Sequence, residues 1–473
     1  MRKICLFILK ILILNHLFIA TKIFSQEIIF DNSGQNHSYW GENIESSYQN
    51  HQEQISIYNF IDRAQHSIYV EIYEMYDDTI KDLLIEKARL GLDVRVLVEP
   101  KPVSNSCDGL SKKTKDNFKC QKSSDFIRAL KEASRKNKKI MLKDPVRYFN
   151  KSLCNGNCFQ HGKIIISDNK EVLVSTGNFS ENGLCYGKKR QSGTCHRDFS
   201  IISNKVEAVE TFNLVFNLDF ENSKYNLSSK EEIDFLRESM GEKISQHLRE
   251  GGVEESVMVS PYNSDIVLKL IDEAQDKIQM QAQYIKHPEW QKSILNALDR
   301  NVDVEVTLPS LCYFNRNSND MGWIKSKEFE SSGYYTKWLL PIINHPSKKG
   351  KIRFFTASLP DYGKGGMGYI HSKVILVDDK KAWIGSTNGS VTSTNFNREF
   401  GLVTEDSHQI LYLKNIIDDD FSHASSIYQH VPEINGPLPE GFKFPRGTCK
   451  ISQSSSKVSW SKMTILKRKR LSE

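Results

Sequence analysis

The chain has 473 residues, a formal net charge of +6, and ordinary charged and hydrophobic fractions of 26% and 39%. This composition excludes an intrinsically disordered or fibrous protein and is typical of a globular one, with length for two or three domains. The mild positive charge fits an anionic substrate or surface, although a solvated exterior explains it equally well.

The first 25 residues have the pattern of a secretory signal peptide. Arg2 and Lys3 precede an apolar stretch from Ile4 to Ala20, and Ser25 is a small residue suited to precede cleavage. A retained signal anchor is the alternative, and no later segment is long and apolar enough to span a bilayer. The sequence therefore predicts an exported protein, in a periplasm, an extracellular space or a secretory-pathway lumen, with or without membrane association.

Cysteine usage agrees with export. Cys5 lies within the signal, and eight further cysteines remain, an even number that suits disulfides in an oxidising compartment. A zinc site is the alternative, although its ligand spacing would match no common zinc pattern. The local disulfides predicted are Cys107–Cys120, Cys154–Cys158 and Cys185–Cys195, and the alternative zinc ligands are Cys154, Cys158, Cys195 and His196.

From residue 55 onward, amphipathic helical patterns alternate with short apolar strands. Alternation of this kind predicts an α/β sandwich with a largely parallel or mixed sheet. The predicted helices are 55–65, 79–91, 264–276 and 290–300, and the predicted strands are Ile68–Tyr73, Val94–Val98, Ile164–Ile166, Lys277–Gln283, Val304–Leu308 and Val374–Val377.

The second part of the chain repeats the first. Ile61–Gln65 returns 210 residues later as Ile271–Gln275, and further on Arg197–Phe199 returns after 201 residues as Arg398–Phe400. Because the correspondence holds across more than a hundred residues, we infer a duplication, with two tandem α/β/α half-domains related by a pseudo-twofold axis. The predicted bounds are 1–25 for the signal, 26–245 for the first half-domain, 246–450 for the second, and 451–473 for a basic tail expected to be disordered.

Both halves carry the same chemical motif. A histidine and a lysine two residues apart are followed, after four residues, by an aspartate, and then by a small polar turn. Residues i and i+2 of a strand share a face, so the histidine and lysine of each pair are expected to point together. The two copies are His161, Lys163, Asp168 and Ser175–Asn178, and His371, Lys373, Asp378 and Gly385–Asn388.

This pattern resembles the phospholipase D superfamily, whose signature is H-x-K-x4-D-x6-G-S-x-N. The second half matches throughout, whereas the first has Ser-Thr-Gly-Asn at residues 175–178 in place of Gly-Ser-x-Asn. The resemblance implies a phosphodiesterase that needs no metal or other cofactor. It also implies that each half contributes one histidine to a single active site.

A phosphodiester needs an in-line nucleophile, a proton for the leaving oxygen, and positive charge near its oxygens. One histidine can attack phosphorus and form a phosphohistidine, and the other can serve as general acid and base. The resemblance implies that His161 is the nucleophile and His371 the acid and base; the reverse assignment is the alternative. Lys163 and Lys373 are expected to bind the phosphate oxygens. The other predicted site residues are Asn178, Asn388 and Ser386 for phosphate binding, and the motif aspartates Asp168 and Asp378 for organising the turn. The resemblance further implies that Asp198 and Glu399 orient the histidines of their own halves.

Three functions remain open at this stage. The favoured one is a phospholipase D acting on a phospholipid or membrane surface, releasing phosphatidic acid and a head group, or transferring the phosphatidyl group to another alcohol. Its support is the export signal, the basic run Lys467–Arg470, and the apolar residues Phe354, Phe355, Met367, Tyr369 and Ile370 before the second motif.

The second function is an exported nuclease for single-stranded nucleic acid, and the third is a non-catalytic membrane-binding protein. A nuclease groove needs basic residues with aromatic stacking platforms. The residues that would supply this groove are Lys349, Lys351, Arg353, Trp323, Tyr334 and Tyr335.

Overall fold

The computed structural model describes residues 26–30, 57–102, 109–110, 120–135, 144–154, 158–184, 196–223, 229–309, 335–355 and 369–426. The predicted signal and the basic tail lie outside these ranges. So does at least one partner of the predicted pairs Cys107–Cys120 and Cys185–Cys195. Met367, Trp323 and Tyr334 also fall outside the described residues.

The first lobe is built on a mixed sheet. In chain order the strands of this lobe are β1 (Gln26–Phe30), β2 (Ser67–Ile72), β3 (Asp93–Val98), β4 (Val146–Tyr148), β5 (Lys163–Ser167), β6 (Glu171–Ser175), β7 (His196–Arg197) and β8 (Phe199–Ser203). Among the described residues, seven of them form one sheet in the order β1-β8-β6-β5-β2-β3-β4, while β7 pairs elsewhere. Strands β2, β3 and β4 run parallel, and the other neighbours pair antiparallel.

The second lobe repeats this arrangement. Its strands are β9 (Val257–Ser260), β10 (Lys277–Gln281), β11 (Ile285–Lys286), β12 (Asp303–Pro309), β13 (Gly350–Phe355), β14 (Tyr369–Ile370), β15 (Val374–Val377), β16 (Lys381–Gly385), β17 (Gly389–Ser390), β18 (Glu399–Thr404) and β19 (Ser425–Ser426). Its main sheet, in the described part of the chain, has the order β19-β13-β12-β10-β15-β16-β18-β9. The strand order matches that of the first lobe around each motif strand.

Helices cover the outer faces of both sheets and also fill the space between the lobes. The helices are α1 (Ile57–Asp62), α2 (Asp78–Arg89), α3 (Cys120–Arg135), α4 (Glu181–Leu184), α5 (Val206–Asn222), α6 (Lys230–Glu250), α7 (Ile266–Glu273), α8 (Pro288–Asp299), α9 (Leu340–Ile343), α10 (Val391–Asn395) and α11 (Ser407–His423). Helices α1, α2 and α3 pack outside the first sheet, and α7, α8 and α9 outside the second. Among the described residues, no helix combines the length and apolarity needed to cross a membrane.

Strand pleating divides the apolar residues between an outer core and a core shared by the lobes. On β5, Ile165 faces the outer helices, whereas Ile164 and Ile166 face the shared core. On β15, Ile375 faces outward, and Val374 belongs to the same shared core. Continuous apolar runs suit strands that are buried on both faces. The predicted α/β architecture of two pseudo-twofold-related half-domains is confirmed.

The longest helices were not predicted. Helices α5 and α11 occupy equivalent places in the repeat, 201 residues apart, and both line the shared core. Helix α6 begins at a capping box in which Ser229 and Glu232 bond reciprocally, a signal that the sequence does contain. The predicted boundary between residues 245 and 246 falls within α6, whose Ile244 packs into the shared core.

Two buried ion pairs join the lobes reciprocally. Arg398 of the second lobe binds Asp219 of the first through Nε–Oδ2 and Nη2–Oδ1 contacts of 2.7 and 3.1 Å. Arg197 of the first lobe pairs in turn with Asp420 of the second. All four side chains are buried. The repeat thus places each cation opposite the acid of the other half.

Beside these pairs lies a carboxyl group that differs between the halves. Glu71 is fully buried, and its pseudo-symmetric counterpart is Gln281, which donates from Nε2 to Asp420 Oδ2 at 2.7 Å. Burial raises the pKa of Glu71 well above its usual range, and the charge of Asp219 raises it further. A protonated Glu71 therefore corresponds to the neutral amide of Gln281.

We expect Glu71→Gln to flatten the pH dependence of stability. The unfolded carboxyl releases its proton near its ordinary pKa of 4.5, whereas the folded one keeps it to higher pH. The free energy of unfolding should therefore fall with rising pH above that value, by at most about 1.4 kcal/mol per pH unit, until the folded pKa is passed. Urea unfolding of both proteins between about pH 4 and about pH 8 measures this slope. Gln281→Glu adds a second buried carboxyl, so its free energy of unfolding should fall more steeply with pH than that of the parent protein. If Glu71→Gln and the parent protein show the same slope, Glu71 is not protonated in the folded state.

Candidate active site

His161 is fixed by the backbone of the other lobe. It lies two residues before β5, whereas the sequence pattern predicted His161 and Lys163 on the same strand. Its amide donates to the carbonyl oxygen of Arg398 at 2.9 Å, and the Arg398 amide donates to the carbonyl of Phe159 at 2.9 Å. The segment before the first motif is thus paired with the segment that carries Glu399.

His371 is held in the equivalent way. Strand β14 pairs in parallel with β7, which joins Ile370 to Arg197. The amides of His371 and Ser372 both donate to the Arg197 carbonyl oxygen, at 3.1 and 2.8 Å. Each motif histidine therefore lies on the junction between the two lobes.

The acid partners of the histidines are exchanged between the halves. His161 Nδ1 lies 2.8 Å from Glu399 Oε2, and His371 Nδ1 lies 2.9 Å from Asp198 Oδ1. The prediction that each acid orients the histidine of its own half is wrong in its pairing. The physical reason is the cross-lobe pairing described above, which no distance along the chain reveals.

Hydroxyl groups hold these acids in place. Thr176 Oγ1 donates to Asp198 Oδ1 at 2.7 Å and accepts the Phe199 amide at 2.9 Å. In the second half, Ser393 Oγ donates to Glu399 Oε1, and the Ser386 side chain also bonds Glu399. Thr176 thus supplies the hydroxyl of the altered first turn. The structure does not place Ser386 for phosphate binding, because its buried hydroxyl is engaged by the Phe400 backbone and by Glu399.

Glycine at residue 177 permits the close packing of Asp198. A Cβ at this position would lie 2.5 Å from Asp198 Oδ2, a distance that real Cβ atoms do not tolerate. The order Ser-Thr-Gly-Asn in the first half therefore keeps a hydroxyl at Thr176 and makes room for the acid of the other half's histidine.

Both motif lysines are buried beside the histidines. Lys163 Nζ donates to the His161 carbonyl, and Lys373 Nζ donates to the carbonyls of His371 and, at 3.0 Å across the lobes, Thr176. Burial lowers the pKa of Lys163 to about 8 and that of Lys373 to about 7, against the raising effect of the nearby acids. A phosphate anion bound beside them would raise both pKa values and favour the charged ammonium forms.

The histidines are neutral in the free site. Burial lowers the pKa of His161 to about 4, and the charges of Lys163 and Lys373 add to this effect against Glu399. Burial and then Lys373 lower the pKa of His371 to about 3. That Lys373 acts on both imidazoles shows that the two motifs share one electrostatic environment. A neutral imidazole suits a nucleophile, while a general acid needs the bound anion to raise its pKa.

The motif aspartates lie at the far ends of their strands. Asp168 accepts the amides of Gln65, His66 and Ser67 at 2.6 to 3.1 Å, and Asp378 does the same for Gln275–Lys277 at 2.8 to 2.9 Å. Both aspartates have positive φ, 55° and 52°, in the turn after the strand. A five-residue strand separates them from the lysines by roughly 16 Å, so their contacts are those of turn organisers.

The turn asparagines lie in different surroundings. Asn178 Nδ2 donates to Glu74 Oε2 at 3.0 Å, while the backbone N–H of Asn388 donates to Ser393 Oγ at 2.9 Å. Glu74, whose charge also acts on Lys163, was missed by the sequence reasoning. Its repeat counterpart is Tyr284, so comparing the halves residue by residue was the signal that could have found it.

Two further ring contacts distinguish the histidines. The Tyr73 ring meets the His161 ring edge-on, with centroids 4.8 Å apart. The His196 ring lies 5.2 Å from that of His371, where the second half has Asn397. The two imidazoles thus sit in chemically different surroundings.

Of the predicted disulfides, one falls within the described residues. The structure brings the sulfur atoms of Cys154 and Cys158 together, with their Cα atoms 5.7 Å apart, a separation compatible with a disulfide. Whether these thiols are oxidised in the protein stays a prediction. Cys195, which the zinc alternative also requires, lies outside the described residues.

The residues predicted to contact a lipid or a nucleic acid, where the structure describes their side chains, are buried or paired with other groups. Phe354, Phe355 and Ile370 are buried in core clusters, so they cannot form a surface for lipid entry. On the same sheet, Lys351 pairs with Glu305, and Arg353 donates to the Phe421 carbonyl at 2.8 Å. Lys349 likewise pairs with Asp303. These side chains do not form the basic groove that the nuclease hypothesis needs.

The exchanged acids make a prediction. Asp198→Asn should remove the carboxylate that orients His371 and stabilises its charged form, and Glu399→Gln should do the same to His161. If His371 is the general acid, Asp198→Asn should lower turnover of a natural phosphodiester by about 10²–10⁴-fold. It should slow the initial burst of p-nitrophenol from a p-nitrophenyl phosphodiester far less, since that leaving group needs no proton. Glu399→Gln should slow both substrates alike. The opposite pattern would show that the roles of the histidines are reversed.

Comparison with known proteins places this site in a family. The sequence model of the family described as cardiolipin synthase, PLD-like domain, matches residues 57–219 and 267–421. Cardiolipin synthase 1 of Bacillus anthracis is 26% identical over 383 residues, covering 78% of this chain and 64% of the relative. A probable cardiolipin synthase of Bacillus subtilis is 24% identical with the same coverage. The chain therefore spans just under two-thirds of the length of these curated relatives.

A solved structure shares the fold. The crystal structure of phosphatidylserine synthase from Haemophilus influenzae superposes with a TM-score of 0.54 at 16% identity, covering 85% of this chain and 87% of that one. This likeness concerns the fold alone. Because the family model matches more than half of the chain, once in each lobe and across both motifs, the chain belongs to the PLD-like domain family of the phospholipase D superfamily.

Proposed function

We propose that the protein is a phosphodiesterase of phospholipid metabolism, which cleaves the head-group phosphodiester of a glycerophospholipid and passes the phosphatidyl group to an alcohol or to water. The observation that supports this proposal is the arrangement of side chains where the two lobes meet. There, two neutral histidines, each with a buried acid from the opposite lobe, lie beside two buried lysines.

The reaction has two balanced steps. When the phosphodiester anion binds, it raises the pKa of His371, which takes up a proton from solvent. His161 Nε2 then attacks phosphorus, the bond from phosphorus to the head-group oxygen breaks, and His371 gives that oxygen this proton. Then His371 takes a proton from the acceptor hydroxyl, the acceptor oxygen attacks phosphorus, and the bond to His161 breaks. Lys163 and Lys373 neutralise charge on the non-bridging oxygens in both steps. The acids stabilise the charge that each imidazole carries on the way.

The acceptor decides the product. Water yields phosphatidic acid, and a second lipid alcohol yields a larger phospholipid. The names of the curated relatives favour an alcohol acceptor, since both are called cardiolipin synthases. We therefore propose phosphatidyl transfer between glycerophospholipids as the main reaction, with hydrolysis to phosphatidic acid and a free head group as its competitor.

A product assay tests the proposal. Purified protein should convert phosphatidylglycerol vesicles to cardiolipin and free glycerol, with phosphatidic acid as the hydrolytic product, as measured by mass spectrometry of the lipids. The reaction should persist in EDTA, because the proposed chemistry uses lysines in place of a metal. No change in any phospholipid would contradict the proposal.

Two control arms exclude the alternatives. A single-stranded oligonucleotide in the same buffer should remain intact, and its shortening would favour the nuclease hypothesis. The His371→Ala variant should lose product formation while binding vesicles as well as the parent protein does. The predicted export would place this reaction outside the cytoplasm, and recovery of a mature chain lacking residues 1–25 would support it.

A further inference from the structure

We propose that the active site contains an inhibitory binding site for a zinc-like divalent cation, formed by His196, Asp198 and His371. Each of these residues offers one ligand atom, and the three atoms lie within 4.8 Å of one another. Two imidazole nitrogens and one carboxylate oxygen are the donors that Zn²⁺ and related transition metals select, whereas Mg²⁺ and Ca²⁺ prefer oxygen alone.

The three ligands come from two segments that the fold joins firmly. His196 lies on β7 and Asp198 directly after it, while His371 follows β14, the strand that pairs with β7. Asp198 Oδ1 already lies 2.9 Å from His371 Nδ1. Metal–ligand bonds of about 2.0–2.2 Å in a tetrahedron separate the ligand atoms by roughly 3.4 Å. The Asp198–His371 pair would therefore move apart by about 0.5 Å, while any separation near the 4.8 Å limit would shorten.

The carboxylate is prepared for such a role. Asp198 is fully buried, and its Oδ2 has no hydrogen-bond partner among the residues that the structure describes. Its Oδ1 accepts the Thr176 hydroxyl at 2.7 Å, which resembles the support that metal-bound carboxylates receive from neighbouring groups. His196 is partly buried, whereas Asp198 and His371 are buried.

A nearby charge limits the affinity. Lys373 Nζ lies 3.2 Å from both ring nitrogens of His371, and an ammonium at that distance opposes a cation. With three protein ligands and this opposing charge, the site should hold metal more weakly than a four-ligand structural zinc site. We therefore infer reversible occupancy.

The other half supplies an internal comparison. His161 and Glu399 form the equivalent pair, but the position of His196 is occupied by Asn397, whose Nδ2 donates to Glu399 Oε1 at 3.1 Å. A carboxamide that uses its oxygen for the Phe159 amide, 3.0 Å away, is a poor ligand for zinc. The second imidazole is therefore what makes one acid–histidine pair a candidate metal site and the other not.

Occupancy would block the reaction. A metal bound to the ring of His371 withdraws the lone pair that the proposed mechanism uses for proton transfer. This consequence rests on the proposed function, whereas the binding itself does not. The two are separated by measuring metal binding without any substrate.

The binding experiment uses Co²⁺ as a spectroscopic probe on the purified full chain. We expect one equivalent of Co²⁺ to give visible d–d absorption that Zn²⁺ displaces, and we expect His196→Asn, which restores the residue of the other half, to abolish this signal. His408→Asn, which changes an exposed histidine on α11, is the matched control and should keep it. An equal signal in His196→Asn, or none in the parent protein, would overturn the site.

The activity experiment adds Zn²⁺ to the vesicle assay. Each variant is compared with its own rate in EDTA, so that any effect of the substitution itself cancels. Zn²⁺ should inhibit the parent and His408→Asn proteins at the concentrations that displace Co²⁺, and His196→Asn should need at least tenfold more. Equal inhibition of all three would place the zinc effect elsewhere. If His196→Asn does not fold, His196→Gln serves in its place.

Discussion

His161→Ala should lose turnover by at least about 10³-fold and should form no covalent enzyme intermediate, because it lacks the proposed nucleophile. His371→Ala should be comparably slow on natural lipid. With a p-nitrophenyl phosphodiester, however, it should still form the phosphohistidine and then accumulate it, since the base that activates the acceptor is missing. Phosphorus-labelled substrate, rapid quenching in alkali and peptide mapping measure the intermediate.

The position of the label decides the assignment. Label on residue 161 in the His371→Ala protein supports His161 as the nucleophile. Label on residue 371 in the His161→Ala protein would reverse the two roles while leaving the family chemistry intact. A burst of p-nitrophenol equal to the enzyme concentration provides an independent count of active sites.

The second large effect is expected on stability. Arg398→Ala should destabilise the protein by about 3–5 kcal/mol, because it leaves the buried carboxylate of Asp219 without its partner. Arg398 also donates to the Ser260 carbonyl at 2.9 Å and stacks its guanidinium over Tyr262, so packing is lost together with charge. Urea unfolding monitored by circular dichroism measures the loss.

Matched variants separate the causes. The double variant Arg398→Met with Asp219→Leu should recover much of the stability, because it removes both charges and keeps apolar volume. Arg128→Ala, which breaks an exposed pair with Asp125 on α3, should change stability by less than about 1 kcal/mol. A similar loss in Arg398→Ala and Arg128→Ala would show that the cross-lobe pair contributes little.

Local patterns and the internal repeat predicted much of this molecule. The strands around each motif follow from apolar runs, and β15 has the predicted bounds Val374–Val377. The pairing of Asp198 with His371 could not be predicted in this way, because it depends on β7 meeting β14 across the pseudo-twofold axis. Helices α5 and α11 were not predicted. Their apolar faces pack into a core contributed by both lobes, which the sequence of one half does not reveal.

Substrate contact was harder to predict than chemistry. Phe354 and Phe355 look like a hydrophobic entrance in sequence, but they are buried side chains at the end of β13. Exposure depends on what packs over a residue, and hydropathy alone cannot distinguish an entrance from a core. The asymmetric neighbours His196 and Glu74 emerge only when equivalent places in the two lobes are compared.

Two halves of one chain can differ in sequence, whereas two identical subunits cannot. Where two copies of one sequence meet on an exact axis, any residue near one imidazole must also stand near the other. Here the copies are encoded separately, so Tyr73 stands beside one ring and His196 beside the other, with Gln283 and Asn397 at the mirrored places. Divergence after fusion can therefore give the two histidine rings different chemical roles.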